Sequence, residues 1–380
     1  MTSSSTQNVA IAYMPHLCMG GINEIDFGFL KIWNFTLKKN QYIPDVAVRT
    51  HIEKILGTHK SHHASLDNIG VITIGQADFR EFNEADFEKI RLARLILFFA
   101  CVAKTNIHKP DGNVGFSMVT AENFDLIYQR FVVGDNHISE SSGAIVRMTA
   151  GGFNLGTINF QKPSFVLSPT RFELDKEAFD ALLELQTKKP RVFNRVVNSI
   201  GIFFEGYHNA ENVSRNARIL LQMSAFEILL NLPNDGHQRK NFKDQIGFLA
   251  NKSTDKTYIH KYERRGQSKG VERITIKQIW ADSFYTLRNH IIHGETPKPQ
   301  SFLFRNVQQH TDVGLLFFIL CVKKQIGVRV KKFLCTDEIN WEKWKNPQGM
   351  RPPAGEGFVY KKDFPQLWKA LAAQLPRKKK

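Results

Sequence analysis

Cysteine is scarce: Cys18, Cys101, Cys321 and Cys335 are the only four in 380 residues, and no two stand as Cys-x-x-Cys. That spacing excludes a disulfide framework and a structural zinc site of the usual kind. It fits a reducing compartment, so a cytoplasmic location is expected. Long apolar runs are also missing. The longest, residues 95–103 and 314–322, fall well short of the ~20 residues a bilayer demands, so no transmembrane helix and no membrane partner are expected. The opening MTSSSTQNV has neither a basic stretch nor an apolar one, which argues against secretion. No Walker loop and no dinucleotide fingerprint occurs, and no cofactor is expected.

What is present describes a globular chain with about two domains. Apolar residues make up 42% and charged residues 23%, far from a disordered composition. The formal net charge is +16, an excess that suits polyanions and nucleic acid first of all. The competing reading is a basic but inert surface.

The pattern predicts an α+β fold. Residues 1–170 read as a mixed α and β-strand domain. Val9–Tyr13, Ile25–Ile32 and Ile69–Ile74 have strand length and apolar content, and residues 144–161 read as two strands joined at Gly151-Gly152. One long helix is predicted over residues 85–104, where Phe87, Ile90, Ala93, Leu97 and Cys101 fall at helical spacing. Residues 171–336 then read as an all-α bundle, with helices over 176–187, 192–207, 212–231, 242–250, 274–292 and 311–333. The helix over 212–231 contains ILLQMSAFEILL, apolar almost all round, and so belongs inside the bundle. Residues 337–380 form an extension with a short helix and a basic tail.

Between the fourth and fifth of these helices, residues 251–277 read as a loop. Lys252, Lys256, Lys261, Arg264 and Arg265 alternate there with Tyr258, His260 and Tyr262, followed by Lys269, Arg273 and Lys277. Basic groups neutralise phosphates while aromatic rings stack on bases. The RNA-binding candidates are therefore Lys252, Lys256, Tyr258, Lys261, Tyr262, Arg264 and Arg265; the alternative is a solvated loop. His51, His59, His62 and His63 also cluster in sequence, and the plainer reading of them is a solvated loop without metal.

The segment FYTLRNHIIHGE, residues 284–295, carries Arg288, Asn289, His290 and His293 beside a helix stop at Gly294. Histidine moves protons near neutral pH, and arginine braces a phosphoryl oxygen as charge builds on it. Asparagine can hold a phosphate oxygen. Five positions turn an ideal helix by about 140°, so Arg288 and His293 start on different faces. Unwinding at Gly294, or the meeting of two chains, could reunite them. With 20 arginines and 13 histidines, chance alone yields about 0.7 such spacings, so the spacing carries little weight by itself. A second copy, Arg305 to His310, lies in polar surroundings. The rival reading is that Arg288 and His293 only charge a helix C-terminus. Glu227, in the middle of the inner helix, needs a cation. Arg288 is one candidate partner; Arg218 and Arg191 are others.

The combination of RILLQMSAFEILL (218–230), FKDQIGFLA (242–250) and FYTLRNHIIHG (284–294) resembles the ApeA-like branch of the HEPN superfamily, over about residues 172–335. The resemblance implies that Arg288 and His293 are a catalytic pair and that Asn289 is the polar residue following the arginine. It also implies that Glu227 is a supporting carboxylate. His290 occupies a variable position in the motif and is taken as a supporting residue. It further implies a metal-independent endoribonuclease acting as a homodimer or higher homo-oligomer. Such an enzyme attacks with the 2′-hydroxyl and leaves a cyclic phosphate and a 5′-hydroxyl. Anti-phage defence by abortive infection, or a toxin-like role, is implied as well, with a phage-derived or nucleotide trigger acting at the N-terminal domain. Some proteins of this fold bind RNA without cleaving it. A non-catalytic RNA-binding or assembly protein is therefore the alternative, and a nucleotide-modifying enzyme or antitoxin partner a third.

Overall fold

The computed structural model describes residues 8–61, 64–66, 68–75, 79, 81–104, 119–133, 137–143, 153–154, 160–161, 173–208, 213–249, 257–262, 270–304 and 308–328. It is an α+β protein. The chain divides into two compact units, one containing most of the chain up to Phe179 and the other most of it from Asp180 onward.

The first unit is built on strands β1 (Asn8–Cys18), β2 (Glu24–Asp26) and β3 (Lys31–Asn34), helices α1 (Phe35–Tyr42) and α2 (Val46–Gly57), and strands β4 (His59–Ser61), β5 (Ala64–Ser65) and β6 (Ile69–Thr73). Helix α3 (Glu84–Lys104) and strands β7 (Ile127–Val132), β8 (His137–Gly143), β9 (Phe153–Asn154) and β10 (Phe160–Gln161) follow. Seven strands form one sheet in the order β2-β3-β6-β1-β7-β8-β9, with every pairing antiparallel. Along β1 the side chains alternate between faces. Val9, Ile11 and Tyr13 join Ile52, Ile55 and Leu56 of α2 in one core cluster. On the opposite face Phe87 of α3 packs edge-on against Tyr128, the partner of Ala12. Pro15 cannot donate a ladder bond, and the β1–β6 register shifts between Met14 and Cys18.

Residues 25–32 are not one strand. The chain reverses there: the Phe27 N–H donates to the Leu30 carbonyl at 3.0 Å, and Gly28 sits at φ +79°, a conformation glycine adopts without penalty. The apolar run belongs to two paired strands and their turn. Helices α1 and α2 have no counterpart in the expected elements. His51 and His59 also depart from the expected solvated loop. Both are buried: His51 lies on α2 stacked on Phe131, and His59 lies on β4, where its Nε2 is 2.8 Å from the Tyr13 hydroxyl. Apolar neighbours on the face of the sheet that carries Tyr13 and Phe131 draw them in. His62, His63 and Gly151-Gly152 lie outside the described residues, and β9 pairs with β8.

The second unit is helical. Helix α4 (Lys176–Lys188) crosses the boundary, and α5 (Pro190–Glu205), α6 (Arg215–Leu229) and α7 (Gln238–Gly247) follow. Then come strands β11 (Thr257–Tyr262) and β12 (Gly270–Thr275), helix α8 (Ile276–Ile292), strands β13 (Leu303–Phe304) and β14 (Gln308–Gln309), and helix α9 (His310–Gln325). Phe226 of α6 sits at the centre. Its ring centroid lies 5.3 Å from Phe242 of α7, 6.1 Å from Trp280 of α8 and 5.6 Å from Phe318 of α9, within the range of favourable aromatic contact. Gly247 lets α7 approach α8 closely, because a Cβ there would meet the Gln278 side chain at 2.8 Å.

The expected loop over 251–277 is in part a hairpin. Strands β11 and β12 pair antiparallel, Tyr258 opposite Ile274, Lys261 opposite Val271 and Tyr262 opposite Gly270. Thr257, Ile259, Val271, Ile274 and Thr275 supply the β-branched residues that favour strands. Lys277 is not part of any loop: it is buried on the first turn of α8, and its Nζ donates to the Leu249 carbonyl at 3.4 Å. Residues 329–380, including the expected helix and basic tail, lie outside the described residues.

Two buried imidazoles make the fold acid-sensitive. Burial, and for His59 also the nearby His16, pull the pKa of His59 in the first unit and of His310 in the second down to about 3, from 6.5. The unfolded chain then binds protons that the folded chain excludes. Their contribution is fully present above about pH 6.5 and is lost as pH falls toward 3. The thermal midpoint is expected to drop steadily between pH 6.5 and 4. His310→Phe keeps a ring against Phe284 and Phe304 and should make that drop shallower; an unchanged slope would refute the assignment.

Candidate active site

Helix α6 begins at Ser214, whose side chain accepts from the Ala217 N–H and caps the helix. It presents Ile219, Met223, Phe226 and Leu229 to the core, which leaves Glu227 at its edge with a quarter of its side chain exposed. Helix α8 begins at a capping box formed by Thr275 and Gln278. Trp280, Phe284 and Leu287 are buried, and this apolar face fixes the rotation of α8. Arg288 is consequently turned toward α6.

The Arg288 guanidinium has three neighbours. Its Nη2 lies 3.3 Å from Oε1 of Glu227, its Nη1 donates to Oδ1 of Asn289 at 3.0 Å, and its central carbon lies 5.3 Å from the Tyr285 ring centroid. Among the described residues, two of its five N–H groups are engaged in hydrogen bonds or ion pairs, so the fork retains donors suited to a phosphate. The pair joins α6 to α8, and Arg288 rather than Arg218 or Arg191 is the cation that meets Glu227.

At the C-terminus of α8 the Gly294 N–H donates to the Ile291 carbonyl and the Glu295 N–H to the His290 carbonyl, at 3.1 and 3.0 Å. With Gly294 at φ +76°, this is a Schellman stop. His293 is therefore the cap residue and is exposed, and its imidazole has no side-chain partner among the described residues. His290 turns elsewhere, its Nδ1 lying 2.8 Å from Oε2 of Glu295. The structure thus brings Glu227, Arg288 and Asn289 together. It places His293 at the helix end, one turn beyond them, and pairs His290 with Glu295.

Tyr285 and Glu295 were not among the expected site residues. The signal for Tyr285 was its position three before Arg288, a spacing at which helix side chains touch. Burial first, and Glu227 after it, raise the Tyr285 hydroxyl pKa, while Arg288 opposes them. Its phenol therefore remains protonated.

Of the other candidates, Tyr258, Lys261 and Tyr262 fall on β11, and Lys252, Lys256, Arg264 and Arg265 lie outside the described residues. In the second motif copy Arg305 lies outside them too. His310 is buried at the start of α9 against Phe284, which withdraws it from solvent. A cleft of about 500 Å³ opens between α7, β12 and α8. Its walls are tied by Arg239–Asp282, bidentate at 2.7 Å, and by Lys243–Glu272 at 2.7 Å. These two cations are engaged by carboxylates. No cluster of three or more metal-ligating side chains occurs among the described residues, and no described helix is long and apolar enough to cross a membrane.

Residues 199–332 match the family model of the Apea-like HEPN domain, so the family resemblance of the C-terminal half holds. The match includes α6 and α8 and with them Glu227, Arg288, Asn289 and His293. At the level of that family it points to a nuclease or defence-related role. No curated protein and no solved structure matches the chain.

Because Glu227 and Arg288 are each about one-quarter exposed, their pair is screened by water and is worth little to folding. Glu227→Gln is expected to lower unfolding free energy by no more than about 1 kcal/mol in urea titration. A loss several times larger would assign the pair a structural role.

Proposed function

We propose that the chain is a metal-independent RNA endonuclease of the HEPN type, with Arg288 and His293 as catalytic residues. The observation that supports this reading best is the Arg288 guanidinium. It is held by Glu227 and Asn289 at the end of α8, and His293 stands exposed at the same helix end. The nucleophile belongs to the substrate: the ribose 2′-hydroxyl attacks the adjacent phosphorus, and the P–O5′ bond breaks. The products are a 2′,3′-cyclic phosphate and a 5′-hydroxyl. His293 takes the proton from the 2′-hydroxyl or delivers one to the departing O5′. Arg288 stabilises the charge that accumulates on the phosphoryl oxygens, and Asn289 fixes the guanidinium edge.

A second copy of the chain completes the site in this reading. A single α8 starts Arg288 and His293 about 140° apart, and two helix ends meeting across a two-fold axis bring the imidazole of one copy toward the guanidinium of the other. The basic hairpin of β11 and β12, with the residues between its strands, guides the RNA. The N-terminal unit receives a phage-derived or nucleotide trigger, and the biological setting is anti-phage defence or a toxin-like activity.

The absence of any described partner that orients the His293 imidazole favours a second reading: a non-catalytic RNA-binding or assembly protein on the same fold. Labelled single-stranded RNA incubated with the full chain in excess chelator separates the two. Cleavage to cyclic-phosphate ends is expected, with Arg288→Ala and His293→Ala each at least about 100-fold slower. Cleavage at the wild-type rate by both variants would remove the site assignment. Salt-sensitive binding without cleavage, also when phage lysate and nucleotides are supplied, would establish the second reading.

A further inference from the structure

We infer that Tyr285 is a positioning residue for the nuclease site, its ring bearing the Arg288 guanidinium. The inference rests on the catalytic role proposed for Arg288. Neither the motif nor the family match assigns Tyr285 any part.

Arg288 and Tyr285 are three positions apart on α8, so their side chains lie one above the other on one face. The guanidinium carbon is 5.3 Å from the ring centroid, within the distance at which a cation is attracted to the face of an aromatic ring. The ring itself has little freedom. Tyr285 is 5% exposed, and Phe242 of α7 lies 6.2 Å away. A floating arginine on a helix end would sample many rotamers. Here its stem emerges above a fixed aromatic plate.

Burial first, and the Glu227 carboxylate after it, raise the pKa of the hydroxyl, so the phenol stays protonated and the ring brings no negative charge of its own. Carboxylate, ring and Asn289 Oδ1 constrain the guanidinium from three directions. Its remaining N–H groups are free to face a phosphate. Pre-set donors of this kind stabilise developing charge without reorganising during the reaction.

Ring and hydroxyl separate by mutation of the full chain. Tyr285→Phe keeps the ring and removes the hydroxyl; Tyr285→Leu removes both. Single-turnover cleavage and binding to a 2′-deoxy RNA analogue are measured for each, with thermal unfolding as a check on folding. The expected result is a rate constant within about twofold of wild type for Tyr285→Phe, which keeps the ring, and about tenfold or more lower for Tyr285→Leu. Analogue binding should stay within about twofold of wild type. A purely structural role would instead lower the melting temperature and binding together. The Arg288 side-chain proton resonances give a readout that needs no activity. Their ring-current shift should persist in Tyr285→Phe and vanish in Tyr285→Leu. A wild type that never cleaves would overturn the nuclease reading while this shift still decides whether the ring holds the guanidinium. Wild-type rates in Tyr285→Leu, or an Arg288 signal indifferent to both substitutions, would overturn the inference.

Discussion

The ion pair between Glu227 and Arg288 is the constraint on which the geometry of the candidate site depends. It joins the two helices that carry the family motif. Glu227 lies on a helix whose inner face is Met223, Phe226 and Leu229, so a lone carboxylate there would lose hydration without compensation. Arg288 stands beside buried Leu287 and Tyr285 and faces the same difficulty with opposite sign. Their meeting at 3.3 Å satisfies both. Because it is partly open to water, its energetic worth is modest, and its value is geometric: it sets where the positive charge points.

The end of α8 sets the second coordinate of the site. Gly294 stops the helix in a left-handed turn, and both Schellman bonds close behind it. His293 becomes a cap residue with an exposed ring, while Arg288, one turn earlier, remains half-buried. The two groups therefore stand in different environments although only four residues separate them. An immobilised cation and an accessible imidazole suit the two tasks the proposed chemistry divides between them, charge stabilisation and proton transfer.

The elements that the sequence disclosed are those whose stability comes from their own periodicity. The stripe on α8, the inner helix α6 and the long α3 could be read because apolar spacing decides them. The pairing of Glu227 with Arg288 was one of several options, since spacing along a chain does not say which helix faces which. Tyr285 was hidden for a related reason: within a stripe containing Trp280, Phe284 and Leu287 it reads as one more core aromatic. Helix α1 was missed because its eight residues are weakly apolar, and α2 because packing against the sheet, more than its own twelve residues, decides it. The histidines at 51 and 59 misled for the opposite reason. A polar residue in an unassigned stretch reads as surface, yet the sheet buries both, and Tyr13 and Phe131 give them a hydroxyl and a ring to rest on.

The net charge of +16 also changes meaning once positions are known. Arg239 closes on Asp282, Lys243 on Glu272, and Lys277 is buried against a carbonyl. These cations hold α7, β12 and α8 together, so part of their charge is neutralised within the fold. Arg288 differs from them in its surroundings. Its carboxylate partner takes one edge, an aromatic ring takes one face, and donors are left over. A basic protein can neutralise much of its excess within its own fold; a site for a phosphate requires a cation whose structural partners stop short of saturating it. In the proposed nuclease reading, the guanidinium at the end of α8 is the cation assigned to the phosphate, because its partners leave donors over.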